Sequence, residues 1–161
     1  MAETIKVGIA DLNVCTPPNL ITTIGLGSCV GIAIRDKTTK VGGLVHVMLP
    51  SSQEVKSNSN VAKFADTGIP ELVSRLEKMG GSRARMVAKI AGGAKMFAFQ
   101  SKTELAAVGE RNVEATKKAL AALRIPIIAE DTGENYGRTV TFNPETGDYE
   151  IKAVGKPVKV I

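Results

Sequence analysis

Tryptophan is absent from this chain of 161 residues, and the other large aromatics are few, four Phe and two Tyr. Small and β-branched residues must therefore fill its core. The same scarcity removes the stacking platforms that hold single-stranded nucleic acid. Lys and Arg outnumber Asp and Glu by 21 to 16, for a net charge of +5, but they are spread along the chain, often beside acidic residues. No nucleic-acid partner is expected from that pattern. Cysteine occurs twice, at Cys15 and Cys29, and histidine once, at His46. That is too little for a disulfide framework, and with no C-x-x-C it is too little for a zinc site. Phosphate-binding motifs are missing as well. Ala91-Gly92-Gly93-Ala94-Lys95 lacks the P-loop spacing, and Gly25-x-Gly27 lacks the third glycine of a dinucleotide turn. No metal and no organic cofactor is expected. The longest uncharged stretch, Leu12 to Ile34, is broken by Pro17, Pro18, Asn19, Gly25, Gly27 and Gly31 and reads as strand, turn, strand. The chain is therefore not expected to insert in a membrane. With no signal-peptide core near its start, a cytoplasmic setting with reduced thiols is expected.

What is present is ordinary globular composition, 43% hydrophobic and 23% charged. The length fits one domain over 1–161. Short β-branched runs predict strands at Ile5–Ile9, Leu20–Ile24, Val30–Arg35, Val41–Met48, Arg85–Ile90, Ile127–Glu130, Arg138–Phe142 and Tyr149–Val154. Val41–Met48 is apolar on both alternating faces, as in a strand covered on both sides. Ile69, Leu72, Val73, Leu76 and Met79 recur with helical spacing, and Gly80-Gly81 stops that helix. Pro70 marks its first turn or kinks a helix begun near Val61. A second helix over about Glu110–Leu123 carries Val113, Thr116, Leu120 and Leu123 on one face. Asn143–Asp148 is a hairpin turn by its chemistry, and the polar run Ser51–Asn60 is a loop. Strands clustered early in the chain favour mixed or antiparallel pairing. The expected class is a single-domain α/β sandwich, with mixed, largely antiparallel sheets and two to three outer helices.

One constellation stands out for chemistry. Cys29 lies in Gly25-Leu26-Gly27-Ser28-Cys29-Val30-Gly31, and His46 sits inside an apolar strand. A cysteine nucleophile works as thiolate, and a neighbouring imidazole can create it. If the two central strands form a hairpin through Asp36-Lys37-Thr38-Thr39, Arg35 faces Lys40 and Cys29 falls directly opposite His46, on the same face. Gly25 and Gly27 permit a sharp turn before Cys29, and amides at that turn, at Gly27 and Ser28, could hold an oxyanion. Thr23, ending the preceding strand, could accept from the imidazole and fix its tautomer, the third role of a triad. Cys15 has no such turn and reads as a buried structural residue. Glu130 and Asp131 read as solvated loop carboxylates.

The sequence resembles the CheD family of chemoreceptor glutamine deamidases. The resemblance rests on Thr23, Gly25-Leu26-Gly27-Ser28-Cys29 and His46-Val47-Met48-Leu49-Pro50. It continues through Ala65-Asp66-Thr67, Ile90-Ala91-Gly92-Gly93-Ala94, Gly109-Glu110-Arg111-Asn112 and Glu130-Asp131-Thr132-Gly133. It departs at Phe64, where Tyr is frequent, at Glu134, and at Pro70 within the first helix. The resemblance implies a cysteine nucleophile, a histidine base and an orienting threonine, which map onto Cys29, His46 and Thr23. It implies hydrolysis of glutamine side chains on chemoreceptor cytoplasmic helices, and of glutamyl methyl esters, without a cofactor. It also implies a second partner, the CheC phosphatase. The rival readings are a non-catalytic CheC-binding regulator and a cysteine peptidase.

Overall fold

The computed structural model describes residues 2–56, 59–96 and 107–161. Its ten strands are β1 (Thr4–Val7), β2 (Asp11–Cys15), β3 (Leu20–Leu26), β4 (Val30–Asp36), β5 (Gly42–Val47), β6 (Met86–Gly92), β7 (Ile127–Thr132), β8 (Arg138–Phe142), β9 (Tyr149–Lys152) and β10 (Lys159–Val160). Two α-helices join them, α1 (Ala65–Lys78) and α2 (Val108–Ala122). The strands form two five-stranded sheets, ordered β1-β3-β8-β9-β10 and β2-β5-β4-β6-β7. Pairing is antiparallel except for β1 with β3 and β6 with β7. The mixed α/β sandwich read from the sequence is the architecture found.

Three layers follow from the side-chain alternation. Val30, Ile32 and Ile34 of β4, with Val45 and Val47 of β5 and Ala88 and Ile90 of β6, pack against Ile69, Leu72, Val73 and Leu76 of α1 and Leu120 of α2. The intervening residues Ala33, Leu44 and Ala91 pack on Ile21, Leu26, Val140, Phe142 and Tyr149 of the other sheet. The second sheet is thus covered by helices on one face and strands on the other. All six residues of β5 are buried for that reason. Burial of this apolar surface at roughly 25 cal/mol per Å² is the main stabilising term.

The helix faces match the sequence pattern, with Ile69, Leu72, Val73 and Leu76 buried on α1 and Thr116 and Leu120 on α2. Pro70 is exposed and lies inside α1, which begins at Ala65, so neither alternative for it holds: the helix starts neither at Pro70 nor near Val61. The Asn143–Asp148 turn closes as expected, with Asn143 N–H donating to the Asp148 carbonyl at 2.9 Å and Gly147 at φ 83°. The two residues of β10 carry no pattern that would have announced them. Residues 57 and 58 of the Ser51–Asn60 loop lie outside the described residues.

One register differs from expectation. Gly31, not Cys29, is the partner of His46 across β4 and β5, and Arg35 pairs with Gly42. The four-residue loop exists but lies one residue later, at Lys37–Lys40. Asp36 N–H donates to the Val41 carbonyl at 3.0 Å, and Lys40 takes φ 66°. The cause is Asp36 itself. Its carboxylate accepts from the N–H groups of Thr38 and Thr39 at 2.7 and 3.1 Å, which holds Asp36 at the strand end. Burial opposes ionisation of this carboxyl, but Arg85 and the N–H groups of Ser82, Thr38 and Thr39 outweigh it and hold its pKa well below the usual carboxylate range. The shift is two residues, so the parity of the faces is preserved.

Candidate active site

His46 lies on the face of β5 that meets the other sheet, fully buried. Across the interlayer stands Thr23 of β3, which is 1% exposed. Thr23 Oγ1 is 2.8 Å from His46 Nδ1 and 2.7 Å from the Val7 carbonyl oxygen. A carbonyl only accepts, so the threonine hydroxyl donates its single proton to Val7. The threonine oxygen is then an acceptor toward the ring, and Nδ1 must carry the ring proton. Nε2 is left with its lone pair. It is buried and has no hydrogen-bond partner among the described residues. Burial pulls the His46 pKa down to about 4, so the ring is neutral at physiological pH. A neutral imidazole with one nitrogen anchored and the other bare is built to accept a proton.

Cys29 sits in the bend Gly27–Cys29 between β3 and β4 and is partly exposed. With Gly31 opposite His46, Cys29 lies two residues diagonal to the histidine instead of directly across from it. Diagonal neighbours of this kind are typically ~7–8 Å apart at Cα, within reach of long side chains. The side chain packs against the same interlayer core that contains Leu44 and Ala91. Thiol and imidazole are not hydrogen-bonded in this resting arrangement. Burial pushes the Cys29 thiol up, and its own backbone N–H, which lies against the sulfur, pulls it back down. Burial therefore disfavours both charges, and the resting pair is thiol and neutral imidazole.

The bend is held by its carbonyls. Ala94 N–H donates to the Gly27 carbonyl at 2.8 Å, and Gly93 N–H to the Cys29 carbonyl at 2.8 Å. The side-chain amide of Asn112, on α2, donates to the Ser28 carbonyl at 2.9 Å. The N–H groups of Ser28 and Cys29, by contrast, donate to no backbone carbonyl among the described residues. Gly92 needs its missing side chain here. Its φ is 110°, and a Cβ would run into the Cys29 carbonyl oxygen.

Gly31, the cross-strand partner of His46, also needs its missing side chain, because a Cβ there would lie 2.8 Å from the Tyr149 hydroxyl and 3.0 Å from Leu26 Cδ1. Tyr149 uses the space to donate to the Gly31 carbonyl at 2.9 Å. Cys15 is remote in character: it is 4% exposed, and burial pushes its thiol up to about 11. Asp131 is not a free loop carboxylate. It pairs with the buried Arg138 at 3.1 Å and with Lys159 at 3.1 Å. Glu130 pairs with Lys117 at 3.2 Å. Sequence reasoning missed the Val7 carbonyl, which no side-chain pattern reveals, and assigned no task to Asn112. No group of three or more potential metal ligands occurs among the described residues.

The comparisons with known proteins follow the same line. The family model described as CheD chemotactic sensory transduction matches residues 48–153. A protein of Lachnoclostridium phytofermentans named probable chemoreceptor glutamine deamidase CheD is 64% identical over 161 residues, all of both chains. One of Halalkalibacterium halodurans named chemoreceptor glutamine deamidase CheD is 51% identical over 162 residues, again all of both. One of Caldanaerobacter subterraneus, named probable chemoreceptor glutamine deamidase CheD, is 50% identical over 160 residues, 99% of each. The chain belongs to the CheD family. The family-model match begins at Met48, after Thr23, Cys29 and His46, so it says nothing of those three residues. No helix among the described residues is long and apolar enough to cross a membrane.

Proposed function

We propose that this protein is a chemoreceptor glutamine deamidase, with Cys29 as nucleophile, His46 as general base and acid, and Thr23 as the residue that orients His46. The observation that carries the reading is the bare Nε2 of a buried, neutral histidine whose other nitrogen is fixed by Thr23. A structural histidine in such a core would have both nitrogens satisfied. The names of the full-length relatives supply the substrate class.

In the proposed reaction, a rotation of the Cys29 side chain brings the thiol to Nε2. His46 takes the thiol proton as sulfur attacks the Cδ of a receptor glutamine. The N–H groups of Ser28 and Cys29 stabilise the oxyanion, a donor of this kind being worth ~10²–10³ in rate. The imidazolium gives its proton to the amide nitrogen, the C–N bond breaks and ammonia departs, leaving a thioester. Neutral His46 then takes a proton from water as its oxygen attacks the thioester. Collapse releases glutamate, and the sulfur recovers its proton from the ring. Proton transfer of this type contributes ~10²–10⁴ in rate. A glutamyl methyl ester fits the same steps with methanol leaving. The reaction needs no cofactor.

The substrate is a side chain on a helical protein surface, which the partly exposed Cys29 can reach from the edge of the interlayer. The cytoplasmic helices of chemoreceptors place the enzyme in the cytoplasm, and a CheC-type phosphatase is its second proposed partner. The test is a receptor cytoplasmic fragment incubated with wild type and with Cys29→Ala, followed by peptide mass mapping. Conversion of glutamine to glutamate with wild type alone is the expected result. Intact glutamines with wild type would leave only a binding role, and new peptide termini would make it a peptidase.

A further inference from the structure

Asn112 occupies an unusual position for an amide. It is fully buried in α2, on the face that also buries Gly109, Thr116 and Leu120, and asparagine is a poor helix-interior residue. Its Nδ2 lies 2.9 Å from the Ser28 carbonyl and 2.9 Å from the Met48 carbonyl. Two carbonyl oxygens at that distance fix which end of the amide is nitrogen, because the flipped amide would set oxygen against oxygen. Both N–H bonds are thus committed, while Oδ1 has no partner among the described residues. The side chain serves as a two-pronged donor and nothing else.

The two carbonyls belong to the two halves of the candidate active site. Ser28 precedes the nucleophile, and Met48 lies two residues past His46 at the end of β5. Building on the deamidase reading, we propose that Asn112 is a positioning residue that locks the Ser28–Cys29 peptide so that the Cys29 N–H faces the site of the oxyanion. The peptide is planar and trans, so its carbonyl and N–H point in opposite directions. Drawing the Ser28 carbonyl toward α2 turns the Cys29 N–H away from α2, toward the side of the sulfur. The second prong ties that plane to the strand carrying the base. Nucleophile, donor and base then share one frame anchored on a helix that is itself packed in the core. Gly93 and Ala94 fix the carbonyls on either side of Ser28, and Asn112 holds the central one.

The experiment separates aiming an oxyanion donor from simply supporting the site. Wild type, Asn112→Ala and Asn112→Ser are compared on a receptor cytoplasmic fragment for kcat and KM. In parallel, Cys29 is alkylated with iodoacetamide, a displacement that develops no oxyanion. Expected for both variants is a kcat lower by ~10–100-fold, somewhat below the loss of a whole donor, with KM and the alkylation rate each within ~3-fold of wild type. The serine is too short to bridge both carbonyls and should behave as the alanine does. The inference is overturned by a kcat within 2-fold of wild type, by a loss carried in KM, by an equal loss in alkylation, or by failure of both variants to fold. A wild type that leaves every glutamine intact removes the deamidase reading, and this inference with it. An active wild type with unaffected variants removes the inference alone.

Discussion

His46 Nδ1 and Thr23 Oγ1 lie 2.8 Å apart across the two sheets, and the same hydroxyl reaches the Val7 carbonyl at 2.7 Å. The order of donation along this chain sets the tautomer of the only histidine. Thr23→Val keeps the shape and removes the hydroxyl, leaving the Val7 carbonyl and Nδ1 without that partner. Activity on a receptor fragment should fall ~10–100-fold, and stability should fall by about 1–3 kcal/mol, the cost of unmet buried groups. Thr23→Ser restores the oxygen and should recover most of both. Equal activity in Thr23→Val and wild type would show that the ring needs no such anchor.

The pH dependence follows from the same burial. With His46 pulled down to about 4 in the folded protein and an ordinary value near 6.5 unfolded, both states carry neutral histidine above pH ~7. Between pH 6.5 and 4 the unfolded chain binds a proton that the folded one refuses. Stability should drop across that window by about 3 kcal/mol and then level for this group. Denaturant titrations of wild type and His46→Gln at pH 7 and pH 4.5 check it, because the variant should lose less. Asp36 acts in a different window. Its carboxyl is held low by Arg85 and three N–H groups against the opposing effect of burial, so its contribution is present above pH ~4 and fades further into acid. The acid limb of kcat/KM should likewise lie nearer pH 4 than 6.5.

How much of this was legible in the sequence depends on which physics each element uses. Most strand positions and the helix faces were readable because apolar periodicity follows burial, and Val41–Met48 announced its double cover. The hairpin register was not, because it was decided by one carboxylate capturing two N–H groups at Asp36. Periodicity carries no trace of that choice. The error was harmless to the site only because it was even: Cys29 moved along the same face. Thr23, His46 and the Gly27–Ser28 bend were visible as residue types near one another. The Val7 carbonyl and the Asn112 clamp were not, since backbone acceptors have no letter and a buried asparagine on a helix looks like any other.

Gly92 offers a backbone test of the bend. At φ 110°, with the Cys29 carbonyl in the path of a Cβ, Gly92→Ala must move the residue that carries the sulfur. Deamidation should fall by more than ~10²-fold, since displacements near 1 Å are enough for that. Stability should fall by a few kcal/mol, of which backbone strain alone accounts for ~1–3. Gly133→Ala is the control: its φ is 81° but nothing lies within 4 Å of the new Cβ. It should show strain in its melting temperature with activity kept.

The two thiols give the last prediction. Cys15 is 4% exposed with a thiol pushed up to about 11, so at pH 8 it presents almost no thiolate and little access. Cys29 is partly exposed, and burial raises its thiol too, while its own N–H works the other way. Iodoacetamide at pH 8 should therefore label Cys29 alone in the folded protein, and Cys29→Ala should take up no label until it is unfolded. Because burial leaves the resting pair neutral, the Cys29 labelling rate should climb through the alkaline range, without the plateau from low pH that a stable thiolate–imidazolium pair produces. His46→Ala should then change the labelling rate at pH 8 by only a few-fold, while abolishing deamidation. A large parallel loss of labelling would mean instead that the imidazole holds the sulfur anionic before substrate arrives, with the proton already transferred in the free enzyme.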